Sequence, residues 1–255
     1  SYDIIANGEL TINPAELTIT STDVIKTYDG STGAAGTAHV MAGALYSTDT
    51  LSGGVFTFTD KNVGIGNKTG TVSDVTVDDG NGGANYTVTY EDNTTSTINP
   101  RPVGVTANAQ TKTYGDYDPE LNFTVEEASS GRGLLAEDSL SGELRRAAGE
   151  DVGRYAITQG TLGNSNYDIS FIGAELQIDP RAITLAAEAV SKIYGEADPT
   201  LSVQIAEGNL AFSDTLADVA GELSRAAGNN VGSYNVILGE GTKADNYRIT
   251  FDADN

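Results

Sequence analysis

The feature that most constrains this chain is an internal repeat with a period of about 80 residues. The run KTYGDYDP at residues 112–119 returns as KIYGEADP at residues 192–199. Three further landmarks recur in the same order: SGELRRAAG at 141–149 and AGELSRAAG at 220–228, VGRY at 152–155 and VGSY at 231–234, and NYDI at 166–169 and NYRI at 246–249. Repetition at a fixed period predicts a tandem array of similar domains, each contacting its neighbours.

A more diverged copy precedes these two. Its landmarks are KTYDG at 26–30, LSG at 51–53, NVG at 62–64, NYTV at 85–88 and INP at 98–100. It lacks the Asp-Pro pair after its motif and has extra residues between 31 and 45. The sequence therefore predicts three repeats, at residues 15–99, 100–179 and 180–255.

The two ends of the sequence also follow the repeat. Residues 1–14 resemble residues 167–180 and are predicted to be the closing hairpin of a preceding repeat. The last repeat is predicted to lack its closing strand. We therefore expect the sequence to be a piece of a longer array.

Within each repeat the apolar residues alternate with polar ones, which predicts half-buried strands. Examples are Leu121, Phe123 and Val125 in the second repeat, and the 30 glycines supply turns between such strands. Residues 167–171 and 174–178 are predicted to form a hairpin. Short apolar runs at 134–135 and 210–219 predict at most a helical turn or two. The predicted fold is all-β, as tandem small sandwiches or β-grasp-like domains.

The predicted joints between repeats lie at Pro14, Pro100 and Pro180. Proline restricts the preceding residue to extended backbone, so a strand is expected to pass directly from one domain to the next. No flexible Gly/Ser linker separates the repeats, and the array is therefore expected to be stiff and elongated. Three domains end to end would give a rod of about 100 Å.

Charge and cysteine content exclude several classes of function. The formal net charge of −22 repels phosphate backbones and anionic membrane surfaces, so we expect no nucleic-acid partner and no membrane insertion. The chain has no cysteine, which excludes disulfides and thiolate chemistry.

No set of residues in the sequence suggests an active site. His39 is the single histidine, in a stretch rich in glycine, alanine and threonine where a surface loop is expected. Asp74, Asp78 and Asp79 are candidate calcium ligands, because hard oxygen donors on loops suit that ion. Their spacing lacks the order of known calcium loops, so a polar hairpin turn through Gly80 and Gly83 is preferred and no cofactor is predicted.

Three other recurring residue types receive a structural interpretation. The glycines of the Tyr-Gly-Asp/Glu turns are attributed to backbone geometry. Tyr155 and Tyr234 are predicted to bond back to the chain through their hydroxyls, as in a tyrosine corner. The recurring arginines are predicted to pair with nearby carboxylates. These arginines are Arg145, Arg146 and Arg225.

These landmarks resemble the MBG repeats of bacterial surface exoproteins. YGD at 114–116 and YGE at 194–196, with the later GEL, VGxY and NYxI landmarks, resemble the YGX type, and YDG at 28–30 resembles the related YDG type. The resemblance covers residues 15–255. It implies tandem stalk domains of large adhesins, often haemagglutinin-like proteins exported by two-partner secretion.

The resemblance therefore implies a rigid extracellular spacer that projects an adhesive region for attachment or biofilm formation, and not an enzyme. The implied partners are neighbouring repeats, with exopolysaccharide or a host or cell-surface ligand engaged through other regions. The alternative is that the diverged first repeat is a carbohydrate- or protein-binding module of the same surface protein.

Overall fold

The computed structural model describes residues 8–252, and its regular structure is almost entirely β. This part of the chain contains twenty strands, one α-helix of five residues and one 3-10 helix of three residues. The predicted all-β fold is confirmed. The first half of the segment predicted as the hairpin at residues 1–14 lies outside the described residues, and residues 8–14 have no regular secondary structure.

The first repeat forms two sheets. Strand β1 lies between β4 and β7 in one sheet, and the other has the order β2-β8-β6-β5-β3. The strand bounds are β1 (Ala15–Ser21), β2 (Ile25–Thr27), β3 (Gly33–Ala34), β4 (Ala38–Ala42), β5 (Thr50–Phe58), β6 (Gly64–Asp78), β7 (Tyr86–Tyr90) and β8 (Asn93–Asn99).

The second repeat has the same plan with fewer and shorter strands. Its strands are β9 (Arg101–Ala107), β10 (Gln110–Thr113), β11 (Phe123–Val125), β12 (Arg145–Arg146), β13 (Gly153–Thr158), β14 (Tyr167–Ile172) and β15 (Ala174–Asp179). They form the sheets β11-β9-β14 and β10-β15-β13-β12. Strand β15 is parallel to β10 on one side and antiparallel to β13 on the other.

The third repeat has a complete first sheet, β17-β16-β20, and a second sheet of only two short strands, β18-β19. Its elements are β16 (Arg181–Ala187), β17 (Val203–Glu207), α1 (Leu216–Ala220), β18 (Ser224–Arg225), β19 (Val236–Ile237), a 3-10 helix (Ala244–Asn246) and β20 (Tyr247–Asp252). Helix α1 begins at a capping box in which Thr215 and Asp218 bond each other's backbone N–H. It confirms the helical turn predicted in 210–219, whereas 134–135 contains only an isolated β-bridge.

The hairpin predicted for residues 167–178 is wrong. Strands β14 and β15 follow each other with only Gly173 between them, yet they belong to different sheets. A side chain at Gly173 would come within 2.8 Å of the Ile157 carbonyl oxygen, so the crossing point has room only for glycine. The alternation of apolar residues was identified correctly, but it does not specify which sheet a strand joins.

Two of the four apolar cores found in residues 8–252 combine residues of consecutive repeats. In one, Tyr28, Phe58 and Ile98 of the first repeat pack with Val103 and Tyr167 of the second. In another, the second repeat contributes Tyr114 and Ile178, and the third contributes Ile183, Leu185, Val219 and Tyr247. The other two cores lie within the first and the second repeat. Half of the cores therefore form where one repeat follows another.

The chain divides into two compact units, and the division falls within the second repeat. One unit contains residues up to Gly104 with Val125–Ser141 and Gly163–Ser170, and the other contains Val105–Thr124, Gly142–Leu162 and the residues from Phe171 onward. Each unit contains one boundary between consecutive repeats. The repeat boundaries given above stay a prediction from the sequence pattern.

Candidate functional site

The motif tyrosines Tyr28 and Tyr114 lie at the boundaries between repeats, which we call the first and second junctions. Tyr28 is 1% exposed at the first junction and Tyr114 is 2% exposed at the second. Each ring packs edge-to-face on the tyrosine of the next repeat's Asn-Tyr pair, with centroid distances of 5.7 Å to Tyr167 and 5.5 Å to Tyr247. Such pairs add to the gain from burial itself.

One aspartate receives both tyrosine hydroxyls at each junction. At the first, Tyr167 and Tyr28 donate to the two carboxylate oxygens of Asp138, at 2.6 and 3.3 Å. At the second, Tyr247 and Tyr114 donate to Oδ2 of Asp214, at 2.7 and 2.9 Å. Hydrogen bonds to a charged acceptor are stronger than neutral ones.

The tyrosine of the recurring Asn-Tyr landmark forms the same two hydrogen bonds in all three repeats. Its hydroxyl donates to an aspartate and accepts the backbone N–H of the residue three positions before that aspartate. The pairs are Tyr86 with Asp49 and the N–H of Tyr46, Tyr167 with Asp138 and the N–H of Leu135, and Tyr247 with Asp214 and the N–H of Ala211. The site that receives the motif tyrosine is therefore preformed within the repeat.

The surroundings keep these hydroxyls protonated. Burial, reinforced by the bonded carboxylate, raises the pKa of both Tyr167 and Tyr247 to about 12. Burial and the same carboxylates also raise the pKa of Tyr28 and of Tyr114. Each tyrosine at the junctions is therefore a hydrogen-bond donor at neutral pH.

The backbone of the motif tyrosine is hydrogen-bonded to the residues on either side of the joint proline. At the first junction the N–H of Tyr28 donates to the Asn99 carbonyl oxygen, just before Pro100. The guanidinium of Arg101, just after Pro100, donates to the Tyr28 carbonyl oxygen at 3.4 Å. It also donates to three carbonyl oxygens in the loop of the second repeat: those of Ser129, Arg132 and Gly133.

The second junction repeats this arrangement. The N–H of Tyr114 donates to the Asp179 carbonyl oxygen, and Nε of Arg181 donates to the Tyr114 carbonyl oxygen at 2.6 Å. Arg181 also forms an ion pair with Asp116 of the motif. The single proline of each joint thus lies between two residues that both bind the motif tyrosine.

An asparagine forms a second bridge at each junction. The side chain of Asn166 accepts the Val63 N–H at 3.0 Å and donates to Oδ1 of Asn62. Asn246 in the same way accepts the Val152 N–H at 2.7 Å and donates to Oδ1 of Asp151. The recurring Asn-Tyr landmark therefore contacts the preceding repeat through both of its residues.

A charged cluster supports the motif within the second repeat. Lys112 binds Asp118 at 2.7 Å and Glu150 at 2.6 Å, and Arg146 binds the same two carboxylates. These partners lower the pKa of Asp118, where Arg146 has the largest effect, and of Glu150, where Lys112 does. The Arg146 guanidinium also lies over the Tyr155 ring, 5.5 Å from its centroid.

The third repeat forms the same cluster with one acid fewer. Arg225 and Lys192 both bind Asp198, and Arg225 lies 5.0 Å from the centroid of the Tyr234 ring. Arg225 first, and then Lys192, lower the pKa of Asp198 to about 2. The predicted pairing of the recurring arginines with carboxylates is confirmed for Arg146 and Arg225. Arg145 is exposed and forms no ion pair within residues 8–252.

Both predicted tyrosine corners are present. The Tyr155 hydroxyl donates to the Asp151 carbonyl oxygen at 2.7 Å, and the Tyr234 hydroxyl to that of Asn230 at 2.8 Å. Gly149 precedes the first corner with φ of 141°, and a Cβ there would lie 2.1 Å from the Tyr155 ring. Glycine is therefore needed both for its backbone angle and for the approach of the ring.

Each of the three candidate calcium ligands accepts hydrogen bonds from nearby groups of the chain. Asp79 accepts the N–H groups of Asn81, Gly83 and Asn85, which also lower its pKa. The carboxylate of Asp78 accepts the Ser52 hydroxyl at 2.7 Å, and that of Asp74 accepts the Ser73 hydroxyl at 3.0 Å. No group of three or more potential metal-ligating side chains occurs in the part of the chain that the structure describes.

Two local predictions in the first repeat need correction. The turn through Gly80 and Gly83 exists but does not close a hairpin, because β6 and β7 lie in different sheets. His39 is exposed as expected, but it lies in edge strand β4 opposite Thr20 and not in a loop.

Sequence reasoning missed the residues that hold the junctions together. Asp138 and Asp214 carried no prediction, nor did Arg101 and Arg181. A usable signal was present, because the aspartate belongs to an Asp-Ser/Thr-Leu triplet that recurs in each repeat. The triplets are at residues 49–51, 138–140 and 214–216.

The chemical groups at the junctions serve to attach one repeat to the next. The Asp138 and Asp214 carboxylates are occupied by tyrosine hydroxyls, and the nearby cations are bound to carbonyl oxygens or to acids of the same cluster.

No helix among the described residues is long and apolar enough to cross a membrane.

The comparisons with known proteins agree with this organisation. The family model for the YDG domain matches residues 13–96, and the model for the MBG domain (YGX type) matches residues 103–177 and 183–255. No match was found among curated proteins or among solved structures. These are families of repeat domains found in surface proteins and are not enzyme families. The chain thus belongs to the MBG domain (YGX type) family, with two such repeats following a YDG domain.

Proposed function

We propose that this chain is a rigid extracellular spacer segment of a bacterial surface adhesin, which holds an adhesive region away from the cell for attachment or biofilm formation. The observation that carries the proposal is the burial of Tyr28 and Tyr114 under the repeat that follows each of them, with each hydroxyl on that repeat's aspartate. Linked domains usually move relative to each other unless their interface is large and apolar. Here consecutive repeats share an apolar core.

The cost of bending a junction supports this proposal. A buried aromatic side chain removes roughly 150–250 Å² from water, which stabilises by about 4–6 kcal/mol at 25 cal/mol per Å². Opening a junction would expose this surface and break the tyrosine–aspartate bonds. The one-residue proline joint leaves no flexible segment that could absorb a bend.

Small-angle X-ray scattering tests the proposal. We expect a maximum dimension of about 100 Å for three domains end to end, unchanged by a calcium chelator because the attachments need no ion. Tyr28→Ala and Tyr114→Ala should broaden the distance distribution, whereas the matched control Tyr194→Ala should not, because Tyr194 is exposed in this structure. A compact particle, or flexibility in the unmodified chain, would reject the spacer function.

A binding assay separates the alternative function. If the first repeat were a carbohydrate- or protein-binding module, the whole chain would retain glycans or matrix proteins on an array at neutral pH. A spacer binds none of them, since adhesion is assigned to other regions of the same surface protein.

A further inference from the structure

Lys68 occupies a core position of the first repeat. The residue is 8% exposed and lies on the inner face of β6, on which Gly70 and Val72 are also buried. On the neighbouring strand β8 it pairs with Ser96, which is fully buried. A lysine seldom occupies such a place, because burying a charge is costly unless the charge is paired.

The other two repeats have an apolar residue at this position. The sixth residue after the start of the Asx-Val-Gly landmark is Lys68 in the first repeat, Ile157 in the second and Val236 in the third. Ile157 is 2% exposed, so the position belongs to the core there as well. Replacing a buried ion pair by apolar residues is often neutral or stabilising, so stability alone does not explain a lysine here.

One carboxylate connects the Lys68 ammonium to an amide side chain. Oδ2 of Asp60 accepts a hydrogen bond from Nζ of Lys68, and Oδ1 of Asp60 accepts one from Nδ2 of Asn62 at 2.8 Å. Asp60 also accepts the backbone N–H of Asn62 at 3.0 Å. These bonds lower the pKa of Asp60, with Lys68 having the largest effect. The carboxylate is therefore ionised at neutral pH and placed to move a proton between the amine and the amide.

The carbonyl oxygen of the same amide is hydrogen-bonded as well. Nδ2 of Asn166 donates to Oδ1 of Asn62 at 2.9 Å, and Asn166 is itself held by the N–H of Val63. A donor at this oxygen stabilises the negative charge that forms there when a nucleophile adds to the amide carbon. The Asn62 amide thus has a donor at its oxygen and, at its nitrogen, the carboxylate that also binds a buried amine.

We propose that Lys68 and Asn62 form an intramolecular amide bond, with Asp60 as the group that transfers the proton. Asp60 takes one proton from the Lys68 ammonium, and the neutral amine attacks Cγ of Asn62. The bond between Nζ and Cγ forms, and the bond between Cγ and Nδ2 breaks as Asp60 passes its proton to Nδ2. The second proton that Nζ loses goes to the departing ammonia, so ammonium is released and Asp60 is a carboxylate again.

The reaction needs no oxidant, reductant or other reactant, and it occurs once per molecule, so a slow rate is sufficient. Its product replaces a buried cation by a neutral amide, which removes the cost of burying the charge. The remaining N–H of Nζ can still donate to Asp60, and the Asn62 oxygen keeps its bond from Asn166. The new bond would tie the loop before β6 to β6 itself, and it does not depend on the spacer function proposed above.

Mass spectrometry of the whole purified chain tests the proposal. We expect a mass that is lower than the sequence mass by one molecule of ammonia. A succinimide at Asn81-Gly82 would cause the same loss, so the bond must be located in a tryptic digest. Trypsin should fail to cleave after Lys68, and fragmentation should place the loss between Asn62 and Lys68. This digest decides whether the bond exists without the use of any variant.

Variants of the whole chain test the assigned roles. Lys68→Arg keeps the positive charge but lacks the amine, and it should have the full sequence mass, as should Asn62→Ala and Asp60→Asn. Asn67→Ala, the matched control at a neighbouring exposed asparagine, should still lose ammonia. Circular dichroism shows whether each variant is folded.

Two results would overturn the proposal. The first is a digest of the unmodified chain in which trypsin cleaves after Lys68 and no ammonia is lost between Asn62 and Lys68. The second is the same loss of ammonia, at the same place, in Lys68→Arg. A bond that forms equally fast in Asp60→Asn would overturn the role of Asp60.

Discussion

Replacing Tyr114 by alanine should destabilise the chain far more than the same replacement at Tyr194. The two tyrosines occupy the same place in the YGX motif of consecutive repeats. Tyr114 is buried against Tyr247 and Phe212 and donates to Asp214, whereas Tyr194 is largely exposed. The pair therefore separates the contribution of the junction from that of the motif itself.

The magnitude follows from burial. Removing a fully buried aromatic ring costs about 3–5 kcal/mol, because apolar contacts are lost and a cavity remains. Tyr114→Phe removes only the hydroxyl and should cost about 1–2 kcal/mol, since Asp214 keeps its bond from Tyr247. Tyr194→Ala should fall within about 0.5 kcal/mol of the unmodified chain, as most exposed substitutions do.

Urea unfolding followed by circular dichroism measures these differences. Midpoint shifts should be compared between variants, because a chain with two compact units need not unfold in a single step. Tyr234→Phe provides a control at a tyrosine-corner hydrogen bond outside the shared cores and should cost no more than about 1 kcal/mol. Equal shifts for Tyr114→Ala and Tyr194→Ala would refute the stabilising role of the junction.

Three further predictions concern the charged cluster, the tyrosine corner and the junction hydroxyls. The pKa values of Asp118, Glu150 and Asp198 are lowered, so the stability that these carboxylates contribute is complete above their ordinary pKa of about 4. This stability is lost as the pH falls, for Asp198 towards about 2. Acid unfolding curves should show the loss, and the variant Arg225→Gln should make the loss smaller. Gly149→Ala should lower the free energy of unfolding, measured with urea, by about 2–3 kcal/mol. Gly195→Ala, at a position where an added Cβ meets no other atom, should lower it by about 1 kcal/mol. Equal costs for the two variants would contradict the clash between a Cβ at Gly149 and the Tyr155 ring. The pKa values of Tyr167 and Tyr247 are raised to about 12, so the stability that these tyrosines contribute is present below their ordinary pKa of about 10 and is lost as the pH rises through about 12. Tyrosinate absorbance should show that some tyrosines ionise only at high pH, together with unfolding. A single transition near pH 10 would be evidence against protected junction hydroxyls.

The sequence was sufficient for features that depend on local pattern. The period identified the three repeats, and the Val-Gly-x-Tyr landmark identified both tyrosine corners. The proline joints were also found, since Pro100 and Pro180 each separate two strands by a single residue. In each case the prediction rested on backbone restrictions or on spacing within one repeat.

Features that depend on long-range pairing were missed. The turn containing Tyr114 was correctly given a structural role, but its partners Asp214 and Tyr247 lie 100 or more residues away. The separation of β14 from β15 into two sheets was missed for the same reason. Alternation of apolar residues states that a strand has a buried face, but not what covers it.

The shared junction has a consequence for how such arrays change length. Each repeat carries the motif tyrosine for the repeat that follows and the aspartate–tyrosine pair for the repeat that precedes it. Duplication or loss of a whole YGX-type repeat therefore still joins a tyrosine to a matching acceptor. Unequal recombination could lengthen or shorten the array without any compensating substitution, so the number of repeats can evolve independently of the stability of each junction.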